Sequence, residues 1–215
     1  VSNRSSVPDD GNPFSTRCVR PGALPYLFPE GQDVSSLLSR LAKSGWRGQI
    51  VGPHGSGKST LLATLRPAIE AAGKRVIFIE LHDGQRRLPI PVSSTLFRIL
   101  LSVVFVRAST HPTYVLIIDG YEQLPWWRRR LFQCECRRLG LGLLVTSHKS
   151  VGLPEVFRTQ VDMDLARRVV AKLLAGREGV ITKQEIDACA RRHDQDLREA
   201  MFELYDLFEQ HRKGR

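Results

Sequence analysis

"IVGPHGSGKSTLL", residues 50–62, decides the fold. Gly52 is followed by four residues and then Gly57-Lys58-Ser59, the spacing of a loop that wraps its backbone around phosphate. "RGQIVG" (47–52) before it reads as a short strand, and Lys58 to Ala72 after it as a helix stopped by Gly73. Strand, glycine loop and helix in that order aim backbone N–H groups and the positive end of a helix dipole at one anion. Gly52, Pro53, His54, Gly55, Ser56, Gly57, Lys58, Ser59 and Thr60 are therefore the expected nucleotide-binding residues. Lys58 is expected to reach the β- and γ-phosphates, Ser59 to ligate Mg2+, and Thr60 to lie near the α-phosphate. The loop says that a nucleotide binds. Whether ATP is fuel, phosphoryl donor or switch signal must come from the rest of the chain.

Outward from the loop the elements alternate. Asp33 caps a helix over about 34–44, ended by Gly45. "RVIFIEL" (75–81) is a β-branched strand, and the run "SSTLFRILLSVVFV" (93–106) is a buried helix or a strand, since its apolar residues cover every side. "TYVLIIDG" (113–120) is a strand buried on both faces, 124–139 a helix ended by Gly140, and "LGLLVTS" (141–147) a further strand. "RTQVDMD" (158–164) is the expected fifth. From Asp164 the pattern is helical only. Thr182-Lys183-Gln184-Glu185 is a capping box, and Leu197, Ala200, Met201, Leu204, Leu207 and Phe208 form an apolar stripe of helical period.

The fold class that follows is α/β: a parallel five-stranded sheet flanked by helices, then a small C-terminal helical domain. The expected division is a flexible tail over 1–20, a nucleotide-binding α/β domain over 21–163 and a helical domain over 164–215. "RPGALPYLFPEG" (21–32) is too rich in Pro and Gly for a regular element. Its Leu24, Tyr26, Leu27 and Phe28 imply packing against something.

Composition narrows the partners. The net charge of +10, mostly arginine, makes polyanions the natural partners: nucleic acid, phosphates or an acidic protein. No apolar run approaches the length of a bilayer span, and Val1-Ser2-Asn3-Arg4 opens no signal-peptide core, so a cytoplasmic protein is expected. Four cysteines (Cys18, Cys134, Cys136, Cys189) make no disulfide framework in a chain of 215 residues, and Cys134-Glu135-Cys136 lacks the two-residue gap of common zinc or redox pairs.

Beyond the loop, Asp119 ends the apolar strand "VLIID". A carboxylate at the C-terminal edge of a buried parallel strand fits the acid that holds Mg2+ through water, or else opens a turn with Gly120. Activating water for attack needs a base. Glu122 is the nearest carboxylate, either facing the γ-phosphate from the turn or lying on the surface. At the end of the next strand, Ser147 or Thr146, ahead of His148, can hydrogen-bond the attacking water or the γ-phosphate, because ligands gather at strand C-termini in open α/β sheets. Ser147 is the expected catalytic residue of this strand end. "WWRRR" (126–130) pairs aromatics with arginines, but on a helix five successive residues point all round, which counts against one nucleic-acid patch.

Loop 52–59, "VLIIDG", the polar strand end "VTSH" and the helical tail together resemble the AAA+ and related signal-transduction ATPases of the P-loop class over roughly residues 33–210. The resemblance makes 52–59 the Walker A and Asp119 the Walker B position. It makes the helical tail a lid, with Arg198 of "HDQDLREAMFEL" the arginine that contacts the γ-phosphate. It also makes Arg158 of "LPEVFRT" an arginine reaching into a neighbouring subunit, hence a homo-oligomer. ATP, rather than another nucleotide, is implied by the family alone. Gly120 departs from hydrolytic relatives that carry Glu directly after the metal-binding Asp. The implied function is a Mg-dependent ATPase coupling ATP binding or hydrolysis to conformational change and partner engagement. A P-loop small-molecule kinase and a nucleotide-dependent binding module with little turnover are the alternatives.

Overall fold

The computed structural model describes residues 11–82, 84–86, 113–177, 179–193 and 196–213. The apolar run 93–106 lies outside them.

Five strands form one sheet: β1 (Arg47–Val51), β2 (Arg75–Glu80), β3 (Tyr114–Asp119), β4 (Gly142–Ser147) and β5 (Glu155–Arg158), in the order β2-β3-β4-β1-β5. Every pairing is parallel. The period of two splits each apolar strand between two cores. Val115 and Ile117 of β3 and Leu144 of β4 join Ile50, Leu61, Leu65 and Ile69 on one face, while Leu116, Ile118, Leu143 and Val145 join Tyr121, Phe132 and Cys136 on the other. Parallel strands covered on both faces have no polar side to show, which is why "VLII" and "LLV" are unbroken apolar runs.

The helices covering the first face are α2 (Val34–Lys43), following the short α1 (Thr16–Val19), and α3 (Lys58–Ala71). Asp33 caps α2 by accepting from Ser36 N–H at 2.7 Å, and Ser36 Oγ accepts from Asp33 N–H at 3.1 Å. Helix α4 (Trp126–Arg138) covers the second face with Phe132, Gln133 and Cys136. The five residues of "WWRRR" do point round the helix, Arg128 and Arg129 being half-buried, but the buried arc is narrow and Trp126, Trp127 and Arg130 share the exposed side.

The fifth strand is not where the sequence pattern put it. Residues 155–158 pair with β1, with Phe157 opposite Ile50, and Thr159 N–H closes the pairing on the Val51 carbonyl. Asp162, expected inside the strand, instead caps α5 (Met163–Leu173) by accepting from Leu165 N–H at 2.7 Å. The sheet gains its fifth member from the buried pair Val156-Phe157, too short a run to be read as a strand from alternation.

Helices α5, α6 (Lys183–Arg192) and α7 (Leu197–Lys213) enclose a third core of Val170, Leu174, Cys189, Met201, Leu204 and Phe208. The Thr182/Glu185 capping box opens α6. Residues 11–20, assigned by composition to a flexible tail, are packed onto this helical unit. Phe14 is 1% exposed and meets Phe208 edge-on at 6.2 Å, and Asn12 Nδ2 donates to the Tyr205 carbonyl and to Glu209. One aromatic ring inside a small core outweighs the polar composition around it. The chain then passes to the sheet domain, where Tyr26 N–H donates to Thr64 Oγ1 at 2.9 Å and the Tyr26 and Phe28 rings pack on Phe157.

Removing the Phe14 ring leaves a cavity among three helices, so Phe14→Ala is expected to lower unfolding free energy by about 3 kcal/mol, measured by urea denaturation. An unchanged midpoint would show that the segment contributes nothing to the helical core.

Candidate functional site

The parallel register brings three strand ends to one edge of the sheet. Val51 lies opposite Ser147, Ile50 opposite Thr146, and Ile118 opposite Val145, so the chain leaves β1, β3 and β4 close together. Loop 52–57 crosses this edge. Gly55 and Gly57 hold φ of 63° and 85°, which only glycine adopts freely. A Cβ on Gly52 would stand 2.0 Å from Thr159 Oγ1, so the loop is closed against the segment after β5. Ser56 Oγ completes the fit, bonding Thr159 Oγ1 at 2.6 Å and donating to the Pro53 carbonyl at 2.8 Å.

Lys58 opens α3 and is buried. Its ammonium donates to the Gly52 and Pro53 carbonyls at 2.9 and 2.6 Å. Burial lowers its pKa; the charges of Glu122 and then Asp119 push it back up, and Arg198 pushes it down. Four groups from three parts of the fold therefore share one field.

A cavity of about 520 Å³ opens over the loop. His54 to Thr60, Asp119, Glu122, Thr146 and His148 line it from the sheet domain, and Arg198 and Phe202 from α7. Residues 19–27 close the side between them. Asp119 Oδ1 accepts from Thr146 Oγ1 at 2.5 Å, and Thr146 Oγ1 accepts from Gly120 N–H at 2.9 Å. Ser147, the candidate from sequence, does not line the cavity: its Oγ donates to the Lys149 carbonyl at 2.7 Å. Successive strand residues alternate faces, and the alternation assigns the cavity to Thr146.

Gly120 explains the departure at its position. Its φ is 76°, and a Cβ there would lie 2.6 Å from the Leu81 carbonyl oxygen. No acid fits directly after Asp119. The chain instead makes one 3-10 turn, Tyr121–Gln123, which carries Glu122 to the cavity. Glu122 Oε1 lies 3.3 Å from His148 Nε2, and its Oε2 is buried without a hydrogen-bond partner among the described residues.

Arg158 stands apart. It forms a two-point pair with Glu155, Nε–Oε1 at 3.0 Å and Nη2–Oε2 at 2.5 Å, on an exposed face outside the cavity. Sequence reading missed one contributor. Asp196, which accepts from the Arg198 and Glu199 N–H groups, also reaches His54 Nδ1 at 3.3 Å. A Cβ on Gly55 would meet Asp196 Oδ1 at 1.8 Å, so the residue that precedes helix α7 touches the phosphate loop directly. The two are 142 residues apart, and no local pattern announces such a contact.

Ser59 and Asp119 suit Mg2+, since a hydroxyl and a carboxylate are hard oxygen donors and this ion takes few protein ligands beside phosphates. Among the described residues no cluster of three or more His, Cys, Asp and Glu side chains forms a metal cage. Cys134 is exposed and Cys136 buried, its thiol pushed up to about 12 by desolvation, so the two do not share a site.

No protein-family model and no curated protein sequence matches the chain. Solved structures do. The replication initiator DnaA bound to AMPPCP and single-stranded DNA aligns with TM-score 0.52 and 16% identity over 86% of this chain and 63% of its own. A DNA replication initiation factor aligns with TM-score 0.52 and 15% identity over 87% and 66%. C. elegans PCH-2 aligns with TM-score 0.51 and 13% identity over 84% and 66%. The fold is that of the AAA+ P-loop ATPases. This chain spans slightly less than two thirds of each of those structures. On an AAA+ frame, the five parallel strands form the sheet domain and α5 to α7 the helical unit after it.

Restoring an acid after Asp119 is expected to damage the turn. Gly120→Glu places a side chain at φ 76° against a backbone oxygen and is expected to cost about 2 kcal/mol of stability, read by thermal and urea denaturation. A variant as stable as the parent protein would contradict this geometry.

Proposed function

We propose that the chain binds Mg-ATP in the cavity over residues 52–60 and hydrolyses it slowly, coupling the nucleotide to movement of helices α5 to α7 and to a partner. One observation carries this reading: Lys58, Asp119 and Glu122 from the sheet domain face the same cavity as Arg198 from the helical unit. A triphosphate bound there touches both units, so its γ-phosphate reports to the lid whether it is present.

The loop amides of 55–59 cradle the phosphates and Lys58 exchanges its carbonyl partners for phosphate oxygens. Ser59 and Asp119 hold Mg2+, which when bound neutralises phosphate charge. Thr146 fixes Asp119 by its hydrogen bond. His148 engages Glu122 Oε1, leaving Oε2 to take a proton from water as the water oxygen bonds the γ-phosphorus and ADP leaves. Arg198 stabilises charge on the phosphoryl oxygens. Arg158, exposed and paired with Glu155 on its own strand, is the arginine that would act in trans if the chain forms a homo-oligomer.

Low turnover is favoured by Gly120, because the base comes from a turn and is tied to His148. In the limit this is the nucleotide-dependent binding module. A kinase is disfavoured because, among the described residues, the arginines lining the cavity are Arg20 before the sheet and Arg198 in the helical unit after it, neither on a lid between strands. The DnaA structure is described as bound to single-stranded DNA, and the excess of arginine here supports nucleic acid as the partner class. Among the described residues no helix is long and apolar enough to cross a membrane, and all four cysteines are free thiols, which support a cytoplasmic setting.

Lys58→Ala is expected to abolish binding of a fluorescent ATP analogue. Glu122→Gln is expected to keep ATP affinity while lowering acceptor-free phosphate release about 100-fold. ATP consumption seen only with a small acceptor, which becomes phosphorylated, would mean a kinase. Turnover that survives Glu122→Gln would remove this residue as the base.

A further inference from the structure

Helix α4 carries five arginines against one glutamate. Among the described residues, none of those arginines forms an ion pair, whereas Arg66, Arg158, Arg167, Arg168, Arg191 and Arg192 elsewhere all do. Trp126 is 71% exposed, Trp127 46% and Leu131 63%. With 100° per residue, Trp126, Arg130, Arg137, Trp127, Arg138 and Leu131 share the half of the helix opposite Phe132 and Cys136. Arg128 sits to one side, its guanidinium 4.8 Å over the Trp127 ring and its Nη1 donating to the Arg86 carbonyl. That contact stiffens one indole and leaves the other open.

We propose that this outward face of α4 binds single-stranded nucleic acid, with Trp126 and Trp127 stacking on bases and Arg130, Arg137 and Arg138 contacting phosphates. The proposal rests on nucleic acid as the partner class and not on ATP turnover. Guanidinium groups with no acidic partner among the described residues call for a polyanion, and exposed indoles call for free aromatic faces. A single strand offers both, whereas a duplex hides its base faces inside the stack and an acidic peptide has none.

The test is fluorescence anisotropy with a labelled oligothymidylate of about 20 nucleotides, long enough for ordinary single-strand site sizes. Binding is expected for the whole chain, and the double variant W126A/W127A is expected to weaken it by about 10- to 100-fold. R130Q/R137Q/R138Q is expected to reduce the slope of log affinity against log salt by about 2. These side chains point to solvent, so circular dichroism and binding of a fluorescent ATP analogue are expected to match the parent protein. Lys58→Ala loses that analogue but keeps the oligonucleotide, which separates failure of the ATP reading from failure of this one. No binding, or affinity indifferent to the tryptophans, overturns the proposal. Equal affinity for polyglutamate assigns the face to an acidic protein instead. A dimer seen by sedimentation and abolished by W126A/W127A assigns it to a second copy of the chain.

Discussion

A single hydroxyl holds the reacting edge together. Thr146 Oγ1 donates to Asp119 and accepts from Gly120 N–H, joining the end of β4 to the end of β3 at the point where the chain must turn. The acid's orientation and the course of the next three residues are set by the same atom. The left-handed Gly120 that follows is forced by the Leu81 carbonyl at its Cβ position, and the turn it starts delivers Glu122 to the cavity. Burial supports the arrangement. With Thr146 and Ser147 fully enclosed, these hydroxyls have no water to turn to and must bond within the protein.

What was legible in the sequence was local. The glycine loop, the apolar strands and the Thr182/Glu185 capping box each depend on residues a few positions apart, and each formed as its pattern requires. The fifth strand was displaced because its buried pair is short, while Asp162 looked like part of a strand and served as a helix cap. Ser147 and Thr146 could not be separated without knowing which face of β4 meets Asp119, a question of register. Least legible were the long-range contacts, His54 with Asp196 and Phe14 with Phe208, since neither partner carries a mark of the other.

The charge distribution shows the same division between local and distant causes. In the helical unit most arginines sit beside acids on neighbouring turns or helices, such as Arg167 with Asp187 and Arg192 with Glu203. Those pairs are exposed and contribute little individually to stability, but they cancel the field around α5 to α7. The positive charge therefore concentrates on the sheet domain and on α4, whose arginines have no such partner among the described residues. The excess of basic residues already falls before Met163 in the sequence, and the fold gathers part of it on one helix.

The segment before α2 enters the helical core at Phe14 and reaches the phosphate-loop helix at Tyr26, while the chain after β5 joins the same two units through residues 159–162. The helical unit is thus suspended at two points rather than one. A body on a single linker can twist and drift in any direction. A body on two is confined to rotation about the line through both attachments. Nucleotide-driven movement of α7 would have one dominant coordinate, a hinge swing toward or away from loop 52–57, with sliding along the sheet edge resisted by the second strap.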